Sequence, residues 1–210
     1  MDKRLETQNI NASYCDTRLE KQLEFLREID KVKQIFRQTL LMDSSRTEND
    51  AEHSWHMAIG ALLFLEYMDE EVKDIARMLS MILLHDVIEI YAGDTYAYDE
   101  VLAESQEIRE REAADKVFGL LPIDQGSWFR ELWDEFEAFE TPEAKGARVA
   151  DGFMPVYHNY ITKGAKWQEH KVTSQQVRKR ILRIKKGSLK LYEQATKWVD
   201  ESVQKGYLAK

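Results

Sequence analysis

Apolar residues at helical spacing constrain this chain more than any other feature. From Asp16-Thr17 onward, Leu19, Leu23, Leu26, Ile29, Val32 and Ile35 recur every three or four residues. That repeat marks one face of an amphipathic helix with a capping residue at its start. The spacing predicts a first helix ending near Met42. After the polar, capping-rich segment 43–50, a second helix runs from about Ala51 to Tyr67 through Trp55, Ala58, Ile59, Leu62 and Leu65. A break at Met68-Asp69 leads to a third, with Val72, Ile75, Ala76, Leu79, Ile82 and Leu83 inward. Val101, Leu102, Ile108, Ala113 and Val117 mark a charged fourth helix that stops at Gly119 and Pro122. Trp128, Phe129, Leu132, Trp133, Phe136 and Phe139 form an aromatic stripe, read as core packing. Thr141-Pro142-Glu143 supplies an N-cap, a proline at the first helical position and a first-turn acid. The helix they open carries Arg148, Asp151 and His158 and should kink at Pro155. A capping box at Thr173 to Gln176 begins a C-terminal stretch in one register, either one long helix or two broken at Gly187. Its basic run, 178–186, reads as a solvated side.

Three prolines and nine glycines among 210 residues, with few alternating Val/Ile/Thr stretches, leave little material for hairpins or βαβ turns. The expected class is therefore all-α. The length suits one sizeable core and nothing resembles a linker, so a single domain is expected over 1–210. A net charge of −8 argues against a nucleic-acid polymer as partner, because phosphate-backbone binding needs basic surface. The single cysteine, Cys15, cannot form an internal disulfide, and the N-terminus lacks the apolar core of a signal peptide, which points to the cytoplasm. The longest apolar stretches fall far short of the ~20 residues needed to cross a bilayer, so no membrane segment is expected.

Chemistry is expected where Met81-Ile82-Leu83-Leu84 runs into His85-Asp86. An imidazole and a carboxylate entering a core need hydrogen-bond partners or a metal. Helical spacing would bring Glu89 to the same region as both, with Gly93 ending the helix and Asp94 on the loop at its mouth. Spacing alone gives the candidate ligand set His53, His85, Asp86 and a later carboxylate, best filled by Asp151 in the small, apolar run 147–154. Two imidazoles and two carboxylates suit one divalent metal ion, with Mn, Co, Fe, Ni, Zn and Mg all open.

These residues resemble a known pattern. Arg46-Thr47-Glu48-Asn49-Asp50-Ala51-Glu52-His53-Ser54, then His85-Asp86-Val87-Ile88-Glu89 with Ala92-Gly93-Asp94, then Ala150-Asp151 are similar to the H…HD…D pattern of the HD-domain metal-dependent phosphohydrolases, nearest to the 5′-deoxynucleotidase-like branch. The likeness covers roughly residues 25–161, with a C-terminal helix or helix pair at about 173–205. It implies an HD-type helical bundle holding one divalent metal through His53, His85, Asp86 and Asp151. It implies further that Glu89 is the catalytic acid, that Asp94 lies near the substrate's sugar, and that an arginine binds phosphate, Arg37 or Arg46.

The chemistry agrees with that implication. A metal with open positions polarises a phosphoryl oxygen and supplies hydroxide near neutral pH; Asp86 would hold it and Glu89 would move the proton. The function expected is hydrolysis of nucleoside (deoxy)5′-monophosphates, with a small nucleotide as partner. The alternatives are a nucleoside triphosphate or guanosine tetraphosphate hydrolase, which would want more basic residues, and a non-catalytic metal- or nucleotide-binding module, which would typically lack Glu89. A cyclic-dinucleotide phosphodiesterase would need a His-Asp-Gly-Tyr-Pro continuation that is absent. His56 and His158 read as hydrogen-bonded core or rim residues. The apolar residues of the fifth and C-terminal helices serve either a homodimer or the monomer's own core.

Overall fold

The structure is a computed structural model and describes residues 17–93 and 100–210, the side chains of 100–105 excepted. A first helix, α1 (17–29), is followed by a 3-10 turn at Asp30–Gln34 and a hairpin of β1 (Phe36–Leu40) and β2 (Thr47–Asn49). Then come α2 (Asp50–Phe64), a 3-10 turn at Leu65–Tyr67, α3 (Ile75–Leu84), α4 (Glu89–Ala92), α5 (Glu100–Phe118), α6 (Ile123–Ala138) and α7 (Pro142–Ile161). The chain closes with α8 (Ala165–Glu169), α9 (Ser174–Ile181), a 3-10 turn at Ile184–Lys186 and α10 (Leu189–Gln204). The fold is helical, as its composition requires, with one small antiparallel sheet.

That hairpin corrects the expectation of a first helix reaching Met42. The helical repeat does run on past Ile29, but a short apolar run serves a helix and a strand equally well. Phe36 pairs with Asn49 and Leu40 with Thr47, with an irregularity between them. The turn is closed by Leu41 N–H donating to the Arg46 carbonyl at 2.9 Å, with Ser44 at φ +63. The third helix also starts later than expected, at Ile75 behind an Asp74 N-cap.

α7 organises the core. Its N-cap Thr141 accepts from Ala144 N–H, its first position is Pro142, and it runs on through Pro155 to Ile161. It packs against α2, α3, α6 and α10. Small residues permit that crowding: a Cβ at Gly146 would stand 2.8 Å from Met78 Sδ. On one side lie Met57, Met78, Met81, Leu132 and Phe136; on the other, Trp167, Val177, Ile181, Leu191 and Val199. The inner aromatic stripe of α6 and the apolar face of α10 therefore pack into this chain's own core. The C-terminal stretch takes its two-helix alternative, broken at Gly187 and restarted by Ser188, which caps Leu191 N–H.

Two faces differ from expectation. On α1, Leu19, Leu23 and Leu26 are more than half exposed and Phe25 is buried. The helix is oriented instead by a bidentate Arg18–Asp124 pair, a Gln22–Gln125 hydrogen bond and the Phe25–Phe129 ring contact. On α2, Trp55, Ile59 and Leu62 face outward while His53, Met57, Gly60 and Ala61 face inward. The reason is close approach to α7, since a Cβ at Gly60 would already meet Met154 Sδ at 3.2 Å.

Candidate metal centre

His53 is placed by the start of α2. Asn49 accepts from Glu52 N–H at 3.0 Å while the Glu52 carboxylate accepts from Asn49 N–H at 3.1 Å, a reciprocal cap that fixes the first turn. His53 follows one residue later, 2% exposed. Its Nδ1 stands 3.3 Å from Glu48 Oε1 and its Nε2 3.6 Å from Asp151 Oδ1. Burial and the nearby Arg37 charge disfavour its protonation, but Asp151, Glu48 and Asp86 outweigh them and raise its pKa to about 9.

His85 sits at the C-terminal end of α3. Its Nδ1 lies 2.7 Å from the Ile82 carbonyl, so Nδ1 must carry the proton that is donated. In the neutral ring Nε2 is then a lone pair, and it stands 2.9 Å from Asp86 Oδ2. Lone pair against carboxylate is a repulsive pairing that a cation shared by the two atoms would relieve. Both His53 Nε2 and His85 Nε2 are buried without a hydrogen-bond partner. One donor atom from each of His53, His85 and Asp86 falls within 4.8 Å of the others. The cluster thus fits a divalent ion by its donor chemistry as well as by its spacing.

Asp86 carries a second contact, accepting from Arg37 Nη1 at 2.6 Å. Burial raises its carboxyl, but His85 and Arg37 outweigh burial and hold it well below the usual range. Asp151, from the middle of α7, faces His53 with one oxygen and accepts from Arg183 Nη1 at 3.2 Å with the other. Against its burial, His53 and Arg183 keep it ionised. Arg37 also stands 3.4 Å from Asp50 Oδ1; burial disfavours its charge, yet Asp86, Glu89, Asp151 and Asp50 together more than compensate.

The sequence-predicted residues are distributed unequally. His53, His85, Asp86 and Asp151 come together, and Arg37 joins them from β1. Glu89 does not share a helix with His85, because α3 ends at Leu84 and α4 begins at Glu89 itself. A tight turn carries it back toward the site, with Glu89 N–H donating to the Asp86 carbonyl at 3.0 Å. Gly93, at φ +76, ends α4 as expected. Arg46 is half exposed and engages Glu52 through two hydrogen bonds of 2.7 and 2.6 Å, a surface pair on the outer side of the hairpin. Asp94 lies outside the described residues.

Two participants escaped the sequence reading. Glu48 is the inward residue of β2 and 2% exposed; its signal is the strand alternation, invisible while 36–49 reads as helix and polar loop. Arg183 belongs to the basic run 178–186, whose composition reads as a solvated side. Gly152 makes room for its stem, which lies 3.0 Å from where a Cβ would be. His158 donates through Nδ1 to the Leu40 carbonyl at 2.8 Å and meets His56 Nδ1 at 3.2 Å through Nε2, so both histidines are hydrogen-bonded as expected.

The helical scaffold carries a His-His-Asp cluster that could hold a metal ion, with an arginine paired to it. Residues 29–191 match the model of the HD domain, and the chain belongs to that family. It is 32% identical over 130 residues to the 5′-deoxynucleotidase HDDC2 of Homo sapiens and 33% identical over 131 residues to that of Bos taurus. Each match spans 61% of this chain and 62% of the relative. A solved structure from Magnetospirillum magnetotacticum MS-1, described as a predicted metal-dependent phosphohydrolase, superposes with a TM-score of 0.86 at 51% identity, over 92% of this chain and 96% of that one. No helix among the described residues is long and apolar enough to cross a membrane.

Proposed function

We propose that the protein is a divalent-metal-dependent phosphohydrolase of nucleoside 5′-monophosphates, with 2′-deoxynucleotides as the preferred class. The observation that carries this reading is convergence. The donors of His53, His85 and Asp86 gather within 4.8 Å, and the part-buried Arg37 stands 2.6 Å from one of them. The relatives named 5′-deoxynucleotidase support the substrate class. The lone Cys15, unable to form an internal disulfide, fits a cytoplasmic setting.

A divalent ion held by His53, His85, Asp86 and Asp151 would supply Lewis acidity to a phosphoryl oxygen and make water acidic enough to react as hydroxide near neutral pH. The remaining chemistry belongs to side chains. Arg37, kept charged by four surrounding carboxylates, offers N–H groups to the phosphate oxygens. Glu89 accepts a proton from the attacking water and returns one to O5′. The water oxygen bonds to phosphorus, the P–O5′ bond breaks, and nucleoside and inorganic phosphate leave. Asp94 is assigned to a sugar hydroxyl, while Arg46, occupied by Glu52, has at most an outer part in substrate binding.

Charge selects the monophosphate. Such an ester carries roughly two negative charges near neutral pH, which one divalent ion and one arginine can offset. Each added phosphate would need further cations. The test is to strip the protein with a chelator, reload it singly with Mn, Co, Fe, Ni, Zn or Mg, and assay ribo- and deoxynucleoside mono- and triphosphates. Phosphate release should be greatest from deoxynucleoside monophosphates. Higher kcat/KM on triphosphates with inert monophosphates would overturn the reading in favour of a triphosphohydrolase.

A further inference from the structure

The two histidines of the cluster are held from behind by different groups. His85 Nδ1 is engaged by a backbone carbonyl of its own helix. His53 Nδ1 faces a side chain from another element, the Glu48 carboxylate of β2, at 3.3 Å, and that Oε1 is buried with no hydrogen bond yet formed. Both Glu48 and His53 are 2% exposed. A buried carboxylate costs several kcal/mol unless it is paired, and a hairpin that only needed to pack would be served as well by an apolar residue. Nor can Glu48 be a ligand on the cluster side. Its Oε1 approaches Nδ1, so the imidazole stands between this carboxylate and Asp151, which faces Nε2 at 3.6 Å. The hairpin itself is fixed from behind, with the Leu40 carbonyl held by His158 and the Asn49 cap locking β2 to α2. Glu48 is thereby presented to His53 from a rigid support.

We propose that Glu48 is a positioning residue of the metal centre: its carboxylate holds the proton of His53 on Nδ1 and aims Nε2 at the ligand cluster. Carboxylate behind a ligand imidazole fixes the tautomer, orients the ring and increases its donor strength, and losing such a partner typically weakens metal affinity by about 10–100-fold. The proposal deepens the proposed function and rests on its metal-binding reading.

Two full-length variants separate orientation from packing. Glu48→Met fills the space without an acceptor, and Glu48→Gln keeps an acceptor oxygen without the charge. After chelator treatment, Co2+ affinity is measured by visible absorption in competition with a chelator, with far-ultraviolet circular dichroism and melting temperature of the metal-free proteins alongside. Glu48→Met should bind Co2+ about 10–100-fold more weakly while keeping its helical signal, and Glu48→Gln should recover part of that loss. Wild-type affinity in Glu48→Met, or equal losses in both variants, overturns the proposal. Should Glu48→Met not fold, 15N NMR of the Zn2+-loaded wild-type protein decides: His53 must show a protonated Nδ1, and a protonated Nε2 sinks the idea. If the wild-type chain binds neither Co2+ nor Zn2+, the metal reading falls and takes this proposal with it, whereas the variant outcomes remove this proposal alone.

Discussion

Two arginines face the cluster from opposite ends of the chain, and they differ in every respect that matters. Arg37, from β1, is 12% exposed, donates to Asp86 at 2.6 Å and lies among four carboxylates. Arg183, from the segment after α9, is 29% exposed and donates to Asp151 at the longer distance of 3.2 Å. Salt and water screen the second far more than the first. The hairpin side is therefore the electrostatic heart of the site, and the C-terminal side is a supporting rim. On the proposed mechanism the more buried charge is the one that meets the phosphate.

The comparison breaks most completely if the ligands themselves are dispensable. Asp86→Ala removes the donor that the hairpin-side arginine braces, so bound metal and activity should both fall to background. Metal analysis by plasma mass spectrometry checks it, and full metal content in the variant would displace Asp86 from the ligand set. Glu89→Gln asks for a smaller change of a different kind: turnover falling by about 10²–10⁴ with metal retained, the range for lost acid–base catalysis. Loss of metal in that variant would make Glu89 a ligand.

The arginines come next and sharpen the contrast directly. Arg37→Met should lower kcat/KM by about 10²–10³, the usual loss for one preorganised charge-stabilising donor, and Arg37→Lys should recover little, because an ammonium cannot copy the guanidinium fork. Arg183→Gln should cost no more than about tenfold, because Arg183 is itself partly exposed and its pair with Asp151 is the longer of the two. Steady-state kinetics on a deoxynucleoside monophosphate ranks them. Equal losses would mean that the C-terminal side is as much a part of the site as the hairpin.

Legibility in the sequence follows the same division. Features read correctly rest on local chemistry: the Thr141-Pro142-Glu143 start, the Thr173–Gln176 box, Gly93 at positive φ and the His85-Asp86 pair entering an apolar run. Features missed rest on partners distant in sequence. Leu19, Leu23 and Leu26 carry a helical repeat, yet polar ties to Asp124 and Gln125 rotate α1 so that Phe25 is buried instead. Periodicity reports that a helix has an apolar stripe, and only the neighbours decide whether that stripe is covered. The hairpin was hidden because five residues of strand resemble a turn or two of helix. With it went Glu48, and Arg183 was lost in a basic run that looked uniform.

The smallest expected effect lies where α1 meets α6, well apart from the ligand chemistry, and it gives the comparison an exposed reference point. Arg18 donates two hydrogen bonds of 2.7 Å to Asp124, whose side chain is 67% exposed. That pairing lowers the Asp124 pKa to about 2, below the roughly 3.9 of an unfolded aspartate. A carboxyl with a depressed folded pKa stabilises the fold above its unfolded value and loses that contribution as pH falls through the folded one. Asp124→Asn should therefore melt slightly below wild type at pH 5, with the gap closing between about pH 4 and about pH 2 as wild-type Asp124 is protonated. Added salt should narrow the gap at pH 5, because the pair is open to solvent. Melting curves at successive pH values and two salt concentrations measure it. A gap unchanged by acid and salt would show that Asp124 holds α1 through shape and hydrogen bonding alone, and the screening that separates the outer pair from Arg37 would then need another origin.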